Sequence, residues 1–189
     1  RTNDHLVVCE MDQAQREIYD FIETKYVKNF EHDSHAKVKN VLNKARLIRL
    51  RQASSNPSLL EKPIRETLMY EDYDAPALNY IKLPDEFQDD SEILTKIKNY
   101  SSNHVPQKFL ATEKVLREHI IGHNQKAIIW TIFIQNAKQL QQYLDKKGIK
   151  SKLLIGEVEQ SDREVVIDKF NNPENVEFQV VIANPFSVA

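Results

Sequence analysis

The sequence predicts an α/β fold: a helical region followed by a parallel sheet flanked by helices. Two observations carry this. Three strand-like apolar runs, "KAIIWTIF", "SKLLIG" and "EFQVVIA", recur in the second half of the chain. Helix-patterned segments of about three turns separate them, and that alternation implies parallel strands joined by crossovers. The runs are continuous rather than alternating, which suits a sheet covered on both faces.

The elements follow in order. "HLVVCEMD" reads as a strand, and Asp12 as the N-cap of a helix in which Ile18, Phe21, Ile22 and Tyr26 recur at helical spacing. A second helix is expected from about Ala36, with Val38, Val41, Leu42, Ala45 and Ile48 as its apolar stripe and its basic residues on the other faces. Pro57 lacks an N–H and disfavours helical geometry at Asn56, so this helix should end near Ser54-Ser55. Leu59 and Leu60 then begin a new packed contact. Between 61 and 105, Pro63, Pro76 and Pro84 punctuate an irregular connector with one helix, "SEILTKIKNY". "KFLATEKVLREHII" is helical, with Leu110, Leu116 and Ile120 among its apolar positions and Gly122 as its stop. "NAKQLQQYLDKKG" places Ala137, Leu140 and Leu144 on one face. In "SDREVVIDKF", Ser161 and Glu164 have capping-box spacing.

Composition bounds the class. The chain has 189 residues, 41% hydrophobic and 29% charged, enough apolar matter for a packed core. The longest apolar run, "AIIWTIFI", is too short to cross a membrane. "RTNDH" lacks the apolar core of a secretory signal, and the lone Cys9 has no internal disulfide partner. An intracellular location is expected, cytoplasmic or nucleoid-associated, with Cys9 as a small buried hydrophobe. The net charge of −2 exerts no global pull on nucleic acid, but charge is segregated. Lys37, Lys39, Lys44, Arg46, Arg49 and Arg51 form a run without an acid, whereas 71–92 carries eight acids against Lys82. These are either solvated surfaces or, for the basic run, a strip that meets phosphates.

Self-contained chemistry is scarce. With three glycines, Gly122, Gly148 and Gly156, the sequence holds neither a G-x-x-x-x-G-K-[ST] phosphate loop nor G-x-G-x-x-G. His119 and His123 are spaced i, i+4, but Gly122 interrupts their helix and no third ligand is near in sequence, so no metal site is expected. His32-Asp33-Ser34-His35 reads as a polar turn between helices.

The order of segments is more informative. "RLRQASSNPSLL" resembles the L-R-Q-x-x-x-H-P-x-L-L stretch of Swi/Snf-type superfamily-two helicases, which joins their two motor lobes. "KAIIWTIF" resembles that family's K-V-L-I-F-S-Q-F, motif IV. "LLIGEVEQSDREVVIDKFNNP" resembles its I-x-G-S-T-x-x-x-E-R-x-x-x-I-x-x-F-N. "FQVVIANPFSVA" stands where the family has V-F-L-L-S-T-x-A-G-G, motif V. "HLVVCEMDQAQREIYDFI" resembles the strand and helix that close the first lobe. The departures are Ile132 for the motif IV Gln, Glu157 for the Ser after Gly156, Asn56 for the linker His, and Phe186-Ser187-Val188 for the Ala-Gly-Gly run.

The resemblance implies a partial RecA-like sheet, with 1–105 as the end of the first lobe, helical linker and connector, and 106–189 as a truncated second lobe. It implies a fragment of a DNA-dependent ATPase or translocase whose partners are duplex DNA, through its backbone, and a first motor lobe; no membrane partner is implied. The phosphate loop, the metal-binding acids and the arginine finger would lie outside these 189 residues. ATP and Mg would then serve the full-length protein and no cofactor would bind this chain, which holds no catalytic residue of its own. Thr131, Gly156, Asn184 and Ser187 would line a nucleic-acid track at the strand ends, with Lys44, Arg46, Arg49 and Arg51 adding electrostatic affinity. Capping of the sheet edge is the alternative role for Thr131 and Asn184. The alternative function is a non-catalytic α/β module that docks a protein through the acidic connector.

Overall fold

The structure is a computed structural model that describes residues 3–30, 36–61, 91–175 and 177–187, with side chains for 3–24, 45–61, 91–175 and 177–186. Helix α1 spans Gln13–Phe30 and α2 spans Ala36–Ser55. Asp12 caps α1: the Gln15 N–H donates to Asp12 Oδ1 at 2.7 Å. Helix α2 ends as the proline requires. The Asn56 N–H makes the last helical bond, to Gln52 O at 2.7 Å, and a 3-10 turn, Pro57–Glu61, begins at once. That turn drops Leu60 into a core of Ile18, Ile22, Ala53, Ile93, Ile97 and Tyr100, drawn from α1, α2 and helix α3, Ser91–Asn103.

The second half is built on a sheet. Helix α4, Gln107–His119, precedes strand β1, Ala127–Trp130. Then come α5, Ile134–Lys146; β2, Ser151–Leu154; α6, Gln160–Asn171; and β3, Val180–Ala183. The order is β1-β3-β2, all parallel, and both Trp130 and Leu154 register with Ala183. One face packs Val180 and Ile182 against Phe109, Leu116, Ala137, Leu140 and Leu144 from α4 and α5. The other packs Leu154, Phe178, Val181 and Ala183 against Val166 and Phe170 of α6. Gly148 closes α5 at φ +75°, while the Ile149 N–H reaches back to Leu144 O at 2.9 Å.

Several expectations are corrected. Residues 3–12 form no strand, and Leu6, Val7 and Val8 are exposed. A strand is defined by its ladder, and none of the described residues pairs with this segment. Cys9 is consequently half-buried. Strand β1 is an edge strand among the described residues, and it exposes Ile128 and Trp130, so the sheet is covered on both faces only at β3. In α4 Phe109 is buried along with the expected Leu116, whereas Leu110 is exposed. The capping box is absent: the N-cap of α6 is Glu159, two residues before Ser161, with no side-chain cap, which leaves Ser161 inside the helix. The His32–His35 turn and most of the acidic connector lie outside the described residues.

Candidate nucleic-acid interface

Parallel strands present their C-terminal ends along one edge, and here those ends are tied together. The Thr131 N–H donates to Ala183 O and the Asn184 N–H to Leu154 O, each at 3.0 Å. Asn184 is fully buried. Its amide donates to Thr131 O at 3.2 Å and Ile132 O at 2.9 Å, and its Oδ1 accepts from the Phe186 N–H at 2.9 Å. Asn184 therefore braces β1 against β3 and does not itself line an open track, a correction to the expected contact role. Thr131 is half-buried at the mouth, and Gly156 is exposed in the turn after β2. Ser187 lies in a 3-10 turn, Pro185–Ser187, and its side chain is outside the described set. Glu157, the awkward neighbour of Gly156, pairs with Lys138 at 2.5 Å. Both side chains are partly exposed, so the pair contributes little stability, yet it offsets a charge that would repel phosphate.

Sequence reasoning missed the residues behind this edge. Asn136, at the start of α5, donates from Nδ2 to Thr131 Oγ1 at 3.2 Å. Its Oδ1 accepts from Asn56 Nδ2 at 3.4 Å, and Asn56 Nδ2 also donates to Gln139 Oε1 at 2.5 Å. The Asn56 Oδ1 accepts from the Ser58 N–H at 3.1 Å. The Asn56-Pro57 break thus touches the sheet domain through a row of neutral amides. One signal was available: Asn136 sits four residues before Leu140, on the buried stripe of α5, where a polar residue needs partners.

The basic run does not form one face. Arg49 is fully buried, with Nη1 donating to Gln52 Oε1 at 2.9 Å, which corrects its expected place on an exposed strip. Successive residues turn about 100° around a helix, so Arg51 points roughly opposite to Arg49, and it is exposed. Arg46 is half-buried, and the side chain of Lys44 is outside the described set. Among the described residues no group of three His, Cys, Asp or Glu side chains is placed to hold a metal ion. No described helix is long and apolar enough to cross a membrane.

Comparison with known proteins agrees with this geometry. Residues 108–184 match the helicase conserved C-terminal domain family. The ATP-dependent helicase FUN30 of Saccharomyces cerevisiae is 26% identical over 203 aligned residues, which cover 91% of this chain and 18% of that protein. The chain thus spans less than a fifth of that relative. Among solved structures, the Sulfolobus solfataricus SWI2/SNF2 ATPase C-terminal domain superposes with a TM-score of 0.64 at 17% identity, over 94% of this chain and 61% of that one. The S. solfataricus SWI2/SNF2 ATPase core in complex with dsDNA gives 0.64 at 19% identity, over 93% and 30%. The C-terminal part of the Fun30 ATPase domain gives 0.57 at 20% identity, over 95% and 68%. Residues 108–184 are thus similar to the helicase conserved C-terminal domain family, and the chain shares its fold with the C-terminal domains of SWI2/SNF2 ATPases.

Proposed function

We propose that this chain serves a DNA-dependent ATPase or translocase as the lobe that follows the phosphate backbone of duplex DNA, in the intracellular compartment where that DNA lies. The observation that carries the proposal is the match of 108–184 to the helicase C-terminal domain, joined to a strand-end edge with a hydroxyl at its mouth. The similarity to a SWI2/SNF2 core in complex with dsDNA supports duplex DNA as the partner. In this reading Thr131 donates to a phosphate oxygen, Gly156 and Ser187 border the path, and Asn184 holds the strand ends in place. Arg51, with Arg46 and Lys44, adds sequence-independent attraction. The division at 105/106 is supported by the separation of the buried clusters, one drawn from 18–100 and the others from 109–183. ATP and Mg belong, in this proposal, to the full-length protein, where a first motor lobe supplies the phosphate-binding and metal-binding groups. The docking-module alternative gains nothing from the helicase match, and most of its connector lies outside the described residues.

The test is binding of a mixed-sequence duplex. We expect weak, salt-sensitive affinity that Thr131→Val reduces; affinity indifferent to both salt and Thr131 overturns the reading. The same preparation should show no ATP hydrolysis above background, with or without DNA. Turnover that responds to substitutions within 108–189 would place catalytic groups where this reading has none.

A further inference from the structure

We propose that the Asn56-Pro57 break sets the direction of the Thr131 hydroxyl, through a row of amides whose hydrogen-bond polarity is fixed at the linker. The inference rests on the reading of Thr131 as a phosphate donor and extends it to residues that never touch DNA.

The argument is one of donors and acceptors. A backbone N–H can only donate. The Ser58 N–H points at Asn56 Oδ1 at 3.1 Å, so that end of the Asn56 side chain is the carbonyl and the other end is the NH2. The Asn56 NH2 faces Asn136 at 3.4 Å and Gln139 at 2.5 Å, so each presents its carbonyl oxygen. With its carbonyl committed to Asn56, Asn136 turns its NH2 toward Thr131 Oγ1 at 3.2 Å. Thr131 Oγ1 is thereby an acceptor on its inner side. A hydroxyl has one proton, and with a donor behind it that proton is directed away from Asn136, to the side on which half-buried Thr131 meets solvent. A phosphate oxygen is an acceptor only, so this is the orientation that binds it. The row is shielded: Asn56 is 2% exposed and Asn136 is 8% exposed, where hydrogen bonds are strong and an amide flip would leave unpaired groups. Ser58 Oγ, within 2.9 Å of both Asn56 Oδ1 and Gln139 Oε1, donates to one of the two and reinforces the same polarity either way. Asn56 and Asn136 are 80 residues apart in sequence, so the row also fastens the linker to the sheet domain. Asn136, Asn56 and Gln139 are positioning residues in this scheme.

The experiment is a double-mutant cycle on the 189-residue chain, read as affinity for a short mixed-sequence duplex at low salt. Thr131→Val should weaken binding roughly tenfold, the effect of one hydrogen bond to a charged group. Asn136→Leu, of similar size and without polarity, should weaken it about three- to fivefold when Thr131 is present and not at all in the Thr131→Val background. Asn56→Leu, one amide further from the edge, should behave alike. Equal losses in both backgrounds would mean that Asn136 acts only through the fold, and would overturn the row while sparing the phosphate contact. A Thr131→Val chain that binds undiminished would instead remove the phosphate contact, and the inference with it. If Asn136→Leu fails to fold, nitrogen-15 spectra of the unsubstituted chain decide. The Asn136 side-chain amide should be protected from exchange and should shift in Thr131→Val and Gln139→Leu; an Asn136 amide that exchanges freely or shifts in neither variant overturns the polarity argument.

Discussion

Tyr143 and Glu113 give the clearest case of a single pair of groups whose state depends on where the fold puts them. Tyr143 of α5 donates its hydroxyl to Glu113 of α4, and Arg117 donates to the same carboxylate at 2.9 Å. Burial first, and then the bond to Glu113, push the Tyr143 hydroxyl up to about 12. The bonds from Tyr143 and Arg117 hold the Glu113 carboxyl below its ordinary value. The signs follow from linkage. Tyr143 ionises near pH 10 when unfolded and near 12 when folded, so its contribution is complete below pH 10 and is lost between about 10 and 12. Glu113 contributes above its unfolded value and loses that contribution as pH falls through its lowered folded value. Tyr143→Phe should therefore flatten the alkaline limb of a melting-temperature profile between pH 10 and 12. A limb of unchanged steepness would mean that other groups govern it. Gly148 is a second residue-scale case. At φ +75° a Cβ meets nothing within 4 Å, so Gly148→Ala should cost about 1 kcal/mol through backbone strain alone, measurable by urea unfolding.

At the scale of elements, the 3-10 turn Pro57–Glu61 is what the broken helix produces. Leu60 is fully buried in the cluster shared by α1, α2 and α3, which contains no residue of the sheet. Leu60→Ala should cost roughly 2–5 kcal/mol, the range for a buried leucine whose cavity does not collapse. Hydrogen exchange should show lost protection in α1 and α3 and retained protection in α5; equal loss in all three would mean that the two cores open as one. The same scale shows what the sequence could disclose. The Asp12 cap, the stop at Asn56-Pro57 and the Leu140/Leu144 face of α5 are local signals, and each appears where local physics puts it. The strand at 5–12 is not local: its apolar pattern forms a ladder only when another strand lies beside it. The amide row is less local still, because nothing near Asn136 in sequence announces Asn56. Edge and centre likewise cannot be told apart within "KAIIWTIF", and so the exposure of Ile128 and Trp130 was hidden. Within the candidate site, resemblance pointed to Thr131 and Asn184 alike; that Asn184 is buried and Thr131 only half-buried depends on the closing of Asn184 over β1.

For the whole molecule the question is how a chain of net charge −2 would hold the duplex proposed as its partner. Attraction must be local, and the structure divides the basic run that was expected to provide it. Arg51 is exposed and free to approach a phosphate, whereas Arg49 is buried beside Gln52. Each phosphate neutralised contributes roughly −0.9 to the slope of log affinity against log salt. Arg51→Gln keeps helix propensity similar and removes one exposed charge, so the slope should flatten by about 0.9 with little change in melting temperature. Arg49→Gln removes a buried guanidinium and its hydrogen bond to Gln52. The slope should stay as it was, and the melting temperature should fall by about 5 °C, on a loss of about 1.5–2 kcal/mol for a hydrogen bond to a charged group. Binding is to be measured well below the melting point, so that the second effect does not enter the first. The opposite pattern, a flatter slope from Arg49→Gln and none from Arg51→Gln, would mean that α2 turns its other side to DNA. The buried guanidinium would then have to emerge when the lobe binds. A flat slope in the unsubstituted chain would remove α2 from the DNA path and leave the strand-end edge, with Thr131 at its mouth, as the surface that meets the backbone.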